Sequence, residues 1–416
     1  MKSHTSQKVI SSIIFAAPLL LLNLRAWIVV CFFILVVTAI VSLIQNRISF
    51  ALTKQERWLI VIFVAAFLST LLTYVLGNFT IPETTNLIHN MAFLGFVPVF
   101  ILTKKNGLPQ HAFWYGIVTG AILTGITALI EVTVLSHPRA TGAHHHIIYG
   151  DHALLLGIMS LLSYSFFKPK GKYYLLLPFL GLLFGIMASV LSTARGSWIA
   201  VPVFLLILVY FFDRLGPLKT RISYLIIFLL LALIAFAIPQ TGIKHRINLA
   251  VSDISSYQVG QSNGTSVGLR FEMWRASIEL AKEKPFTGIG LRQYQYKIQE
   301  LVDKSGKYEE AVGSYAHPHN EYLYALVERG VVGLLTILLI LFFPAYLFFS
   351  SLRSRNESTR VIAIAGLIVT SGYIVFGLTE AIFNRPTTTN FYSMMMALLL
   401  GSLYFRGPHS ENNSAT

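Results

Sequence analysis

The chain has 416 residues, 55% of them hydrophobic and 12% charged, with a formal net charge of +14. A soluble domain carries about twice that share of charge, so no water-soluble core accommodates these apolar side chains, and lipid must solvate much of the surface. The net positive charge does not point to nucleic acid, because the basic residues fall between apolar runs, where they report membrane topology first.

Backbone groups in lipid are satisfied only in helices or closed barrels. Long runs rich in Leu, Ile and Phe fit helices, whereas barrel strands alternate over about ten residues. In chain order the expected spans are 9–24, 26–44, 58–76, 87–102, 111–135, 153–167, 173–193, 198–212, 222–238, 330–350, 361–379 and 390–405. The first run has the length of a signal peptide. A second follows at once with no clear small-residue cleavage site, so both are expected to stay as helices. The lone cysteine, Cys31, lies in the second run and is expected to pack as a small apolar residue. The fold class is therefore an all-α polytopic membrane protein of about twelve transmembrane helices. Its expected divisions are helices 1–9 over 1–238, an extramembrane loop over 239–329, helices 10–12 over 330–405, and a tail over 406–416.

The connections alternate in charge. One set holds seventeen lysines and arginines, among them Lys104 and Lys105, Lys168, Lys170 and Lys172, and Arg353, Arg355 and Arg360. The short connections of the opposite set hold only Arg25, Arg139, Arg195 and Arg385. The positive-inside rule places the first set and both termini in the cytoplasm and the late loop outside. Within that loop, 268–284 places Phe271, Trp274, Ile278 and Ala281 at helical spacing. Pro285 ends the pattern, the stretch from Phe286 to Gly290 reads as a turn, and 291–304 reads as a second amphipathic helix.

His319 is the first candidate for chemistry. It follows His317 and Pro318 just before an expected helix, whose electropositive end disfavours a positive charge on the ring. A capping or packing histidine is the plainer alternative. The outer arginines are the second set, since guanidinium suits bidentate phosphate binding; headgroup anchoring is their alternative. Arg195 stands in a short polar break from Ser192 to Ser197, and Arg270, Arg275 and Arg292 lie in the loop. His137, His144, His145, His146 and His152, with Asp151, form a third cluster, in which consecutive histidines cannot all turn toward one ion. Glu131 and Glu380 are acids at or near the membrane, where a functional role is the default hypothesis; an ion pair between Glu380 and Arg385 is the structural alternative. No nucleotide-binding loop or metalloprotease helix motif is present.

His319 and Asn320, nine residues, then Gly330, two residues and Gly333 match the pattern that marks O-antigen ligases. Arg270, Trp274 and the stretch from Pro285 to Gly290 resemble the large loop of the O-antigen ligase/polymerase family, and Arg195-Gly196 resembles its arginine in an earlier outer connection. The resemblance covers nearly the whole chain. It implies a GT-C-like, membrane-embedded glycosyltransferase in the bacterial inner membrane, with the loop in the periplasm. The implied donor is an O-antigen glycan on undecaprenyl diphosphate, and the implied acceptor is a hydroxyl of lipid A–core oligosaccharide. The expected reaction inverts the anomeric carbon and uses no metal and no cofactor. The partners are these two lipids and the membrane, not nucleic acid. His319 is the expected base, Arg195 and Arg270 the expected catalytic arginines, and Arg139, Arg275, Arg292, His317 and Asn320 the expected substrate contacts. An O-antigen polymerase and a protein O-oligosaccharyltransferase are the related alternatives, and a membrane transporter the non-enzymatic one.

Overall fold

The computed structural model describes residues 2–45, 52–215 and 265–405, with the single positions 248, 252 and 255. Every regular element among the described residues is helical. In chain order these are α1 (Lys2–Leu19), α2 (Trp27–Gln45), α3 (Lys54–Val75), α4 (Ile81–Asn90), α5 (Ala92–Asn106), α6 (Gln110–Leu129), α7 (His146–Leu162), α8 (Tyr164–Phe167), α9 (Leu176–Leu191), α10 (Arg195–Trp198) and α11 (Val201–Leu215). After the undescribed stretch come α12 (Ser266–Ala281), α13 (Tyr294–Ser305), α14 (Glu310–Gly313), α15 (Glu321–Ser351), α16 (Glu357–Phe376) and α17 (Pro386–Leu403).

Among the described residues, eight helical segments are long and apolar enough to cross a membrane, and two shorter apolar helices, Gln7–Leu19 and Arg195–Val209, accompany them. Each expected span that falls on described residues coincides with a helical segment; the span 222–238, loop residues 239–264 apart from 248, 252 and 255, and the tail 406–416 lie outside the described residues. The expected span 87–102 is two helices, α4 and α5, that meet at Met91. The tenth span is entered nine residues early, because α15 already begins at Glu321.

Local sequence sets the helix ends. Thr53 and Glu56 form a capping box at the start of α3, and Thr80 and Glu83 form another at α4. Glu56, almost wholly buried, also pairs with Lys104 at 2.7 Å, tying the start of α3 to the end of α5. Burial separates centre from rim. In the most apolar stretch of His146–Lys170, which contains α7, 89% of residues are buried, against 28% in that of Trp27–Gln45. The rim helix α2 turns Val30, Phe33 and Ile44 outward, a continuous apolar face of the kind that lipid covers. Around the centre, α7 packs on α6, α9 and α16, and α17 packs on α2, α5 and α16.

The described part of the loop has a core of its own. Leu269, Met273, Ala276 and Leu280 of α12 meet Tyr294, Ile298 and Val302 of α13 and Tyr324 and Val327 of α15. Of the expected face of α12, Ala281 belongs to this core and Trp274 packs against it while also lining a cavity with Phe271, whereas Ile278 is exposed. Two glycines lock the loop onto α15. Gly330 has φ of 65° and breaks the helix path there. Gly288 has φ of 74°, and a Cβ on it would collide with the Glu328 carbonyl, as one on Gly330 would with that of Phe286. The contact is sealed by backbone bonds from Ile289 to Val327 (2.9 Å), Gly290 to Glu328 (3.1 Å) and Val331 to Pro285 (2.8 Å).

Candidate active site

The turn from His317 to Asn320 is built to hold a side chain in a strained place. His319 has φ of 48°, a left-handed conformation unfavourable for a residue with a Cβ. Asn320 caps α15, its side chain accepting from the Leu323 N–H at 3.0 Å. The backbone N–H of Glu321 donates to the Gly377 carbonyl at 2.7 Å, and the Glu321 carboxylate accepts from the Phe383 N–H at 2.9 Å. These bonds join the turn to the stretch after α16 and so deliver Glu380 to the histidines.

Glu380 is wholly buried, and its two oxygens face two imidazoles. His319 Nδ1 lies 3.0 Å from Oε2, and His317 Nε2 lies 3.3 Å from Oε1. Burial alone would push the Glu380 carboxyl up. The hydrogen bond from His319, the two imidazoles and the Arg385 guanidinium outweigh it and hold the carboxyl well below its ordinary range. An ionised Glu380 accepts, so His319 donates through Nδ1–H, which leaves Nε2 with a free lone pair. The His319 side chain is 16% exposed, enough to be reached. His317 is neutral: burial lowers it to about 4, against the opposing pull of Glu380. Its Nδ1 accepts from the backbone N–H of His319 at 3.3 Å, so its Nε2 carries the proton and lies 3.3 Å from Glu380 Oε1 without making a hydrogen bond to it.

His317, His319 and Glu380 also form a trio whose ligand atoms lie within 4.8 Å of one another, close enough to surround a metal ion. The donor set argues for hydrogen bonding instead. A neutral His317 that ligated through Nε2 would carry its proton on Nδ1, facing the His319 N–H, donor against donor.

Beside this turn is a cavity of about 680 Å³. Arg139, Arg195 and Arg270 line it, with apolar walls from Ile147, Trp198, Ile199, Phe271 and Trp274. Three distant stretches bring the arginines together. Arg139 donates to His146 Nε2 at 3.2 Å, and its loop is fixed by Glu131, which accepts from the N–H groups of Thr141 (2.7 Å) and Gly142 (3.1 Å). Arg195 starts α10, where Gly196 admits Thr379 so closely that a Cβ would strike its hydroxyl; Glu380 is the next residue. Arg270 is on α12, where burial lowers its pKa and Glu380, with Asp151, offsets only part of that. An amphipathic cavity with convergent guanidinium groups suits a ligand that joins an anionic head to an apolar tail.

The other expected contacts lie elsewhere. Arg275 pairs with Glu272 at 3.3 Å and stands over the Tyr308 ring. Arg292 donates to Asn384 Oδ1 at 2.8 Å. Neither lines the cavity, and Asn320 is engaged as a helix cap. The clustered histidines disperse: His144 contacts the Leu21 carbonyl at 3.1 Å, and His152 contacts the Tyr373 hydroxyl at 2.9 Å. Sequence reasoning paired Glu380 with Arg385 or left its role open, and so missed it as the partner of His319. The available signal was an acid stranded among apolar residues in the same outer region as the histidine turn.

Residues 180–338 match the family model described as O-antigen ligase, a stretch that includes Arg195, Arg270 and His319 but stops short of Glu380. The chain is 29% identical over 354 residues to an uncharacterized protein of Haemophilus influenzae, covering 85% of this chain and 87% of that one. It is 24% identical over 298 residues to an O-antigen ligase of Escherichia coli, covering 70% of this chain and 66% of the relative. A 175-residue stretch, 41% of this chain and 29% of the relative, is 27% identical to a ComP-specific O-oligosaccharyltransferase of Acinetobacter baylyi.

Proposed function

Because the chain belongs to the O-antigen ligase family, we propose that it transfers a glycan from undecaprenyl diphosphate to a hydroxyl of lipid A–core oligosaccharide. The observation that carries this reading is the His319–Glu380 hydrogen bond beside a cavity lined by three arginines. The diphosphate sits among Arg139, Arg195 and Arg270, and its polyprenyl chain follows the apolar wall. The acceptor hydroxyl gives its proton to His319 Nε2 as its oxygen bonds to the anomeric carbon. The bond from that carbon to the diphosphate oxygen breaks with inversion, and the arginines stabilise the charge left on the leaving group. Glu380 fixes the His319 tautomer and stabilises the imidazolium that forms, the part a carboxylate plays beside a catalytic histidine. The charge alternation of the connections supports twelve spans in the inner membrane, both termini in the cytoplasm and the loop in the periplasm. That orientation puts the site where both lipids are found.

The test is reconstitution of the full chain with lipid-linked glycan and lipid A–core, in the presence of EDTA. Glycosylated lipopolysaccharide is expected. Extension of the donor glycan without use of lipid A–core makes the protein a polymerase. Transfer to a protein hydroxyl makes it an O-oligosaccharyltransferase, the activity named for the Acinetobacter baylyi relative. No transfer in any arm refutes glycan transfer.

A further inference from the structure

Trp274 makes two contacts that no apolar side chain could combine. Its ring lines the arginine cavity, and its indole N–H donates to the Pro318 carbonyl at 2.9 Å, one residue before His319. It stands one helical turn after Arg270 on α12, so both point to the same side. The Pro318–His319 peptide it reaches has fewer restraints than the rest of the turn. Pro318 has no N–H to give. The N–H of His319 is bound only at 3.3 Å, to a side chain of the same turn. Meanwhile φ of 48° at His319 works against the turn. If the Pro318–His319 peptide rotates toward an ordinary φ, the imidazole leaves Glu380 and Nε2 loses its orientation.

We propose that Trp274 is a positioning residue for the transfer, holding the Pro318–His319 peptide so that the base keeps its place relative to the donor cavity. The inference rests on the reading of that cavity as the site of a polyprenyl diphosphate. It separates two roles within one helix: Arg270 binds the head group, and Trp274 fixes the base that acts beside it. A Trp that only walls the cavity needs no N–H, so the two accounts differ in what removing that one donor does.

The full chain in nanodiscs decides between them, with undecaprenyl diphosphate as the binding probe and glycan transfer as the rate. Trp274→Phe is expected to lower kcat about tenfold, the effect of one lost orienting hydrogen bond, with the dissociation constant within about threefold of wild type. An unchanged kcat overturns the proposal. So does a rate loss wholly explained by weaker probe binding, which makes Trp274 a wall and nothing more. Should the Phe variant fail to fold, β-(3-benzothienyl)alanine at position 274 keeps the ring shape and replaces N–H by sulfur. The same fall in kcat is expected there, and a wild-type kcat overturns the proposal. Failure of the underlying reading is distinguishable. If wild-type protein binds no undecaprenyl diphosphate, and Arg270→Ala changes nothing, the cavity is not the donor site and both ideas fall. If those controls behave as expected and the two variants keep full kcat, the role of Trp274 alone is refuted.

Discussion

Two groups of arginine in this protein differ in what they face. Arg139, Arg195 and Arg270 line one cavity, and the acids that act on Arg270, Glu380 and Asp151, are both wholly buried. Arg275 and Arg292 are each engaged by a neighbour on the protein itself, Glu272 and Asn384. Charge and position in the chain make all five look alike. What separates them is the space they face: the first three line one cavity, and the other two do not. An arginine that lines a cavity can meet an anionic ligand there; one that lies elsewhere contributes to the shape of the site instead.

The largest expected effect tests whether the cavity group serves a base at all. His319→Ala should lower kcat toward the upper end of roughly 10²–10⁴-fold, and Glu380→Gln toward the lower end, with undecaprenyl diphosphate binding retained in both. Full turnover in either variant removes that residue from the chemistry. Next come the cavity arginines. Arg195→Ala and Arg270→Ala should each reduce kcat/KM for the donor about 10–10²-fold, the range of a lost hydrogen bond to a charged group. Lys at either position should restore part of this, because it lacks the planar fork; complete restoration would show that charge alone suffices. The paired arginines should differ sharply. Arg275→Ala and Arg292→Ala are expected to leave the donor KM within about threefold and to lower stability by about 1 kcal/mol or less, as half-exposed pairs and single hydrogen bonds do. A donor KM that rises as far as it does for Arg270→Ala erases the distinction between the two groups.

The smallest effect is in pH. His317 is held neutral in the folded protein, lowered from 6.5 to about 4. Between those values the unfolded chain takes up a proton that the folded chain refuses, so stability falls as pH drops from about 6.5 toward 4. The depressed Glu380 acts in the same direction but later. Its contribution is present above the ordinary carboxylate value and is lost as pH falls through its folded value. Melting temperatures from pH 8 to 5 should therefore decline, and His317→Gln should flatten that decline. An equal slope in the variant shows that other groups set it.

Much of the bundle was legible because lipid imposes a long apolar run on each span, and that signal is local. His319 was legible for a different reason, since its spacing to Gly330 and Gly333 is contained in fifteen consecutive positions. The structure gives the first glycine of that spacing a mechanical meaning. Gly330 supplies the left-handed backbone that lets the loop close on α15. Glu380 was not legible as the partner of His319, because the two are 61 residues apart and are brought together by contacts between distant stretches, among them the bonds of Glu321 to Gly377 and Phe383 and of Asn320 to Leu378. The division of α12 between core and cavity was not legible for a related reason. Apolar periodicity shows that a face is covered, but not whether protein or ligand covers it.

The bond between His319 and Glu380 also fixes when the site can exist. During synthesis the base leaves the ribosome well before its carboxylate, and two further helices must enter the membrane before they meet. Until then the histidine turn lacks its anchor at Gly377 and the cavity lacks its contact at Thr379. A chain arrested before residue 380 would hold all three cavity arginines and the base, yet have no means of orienting either nitrogen. On the proposed function, transfer therefore cannot begin until residue 380 is in place.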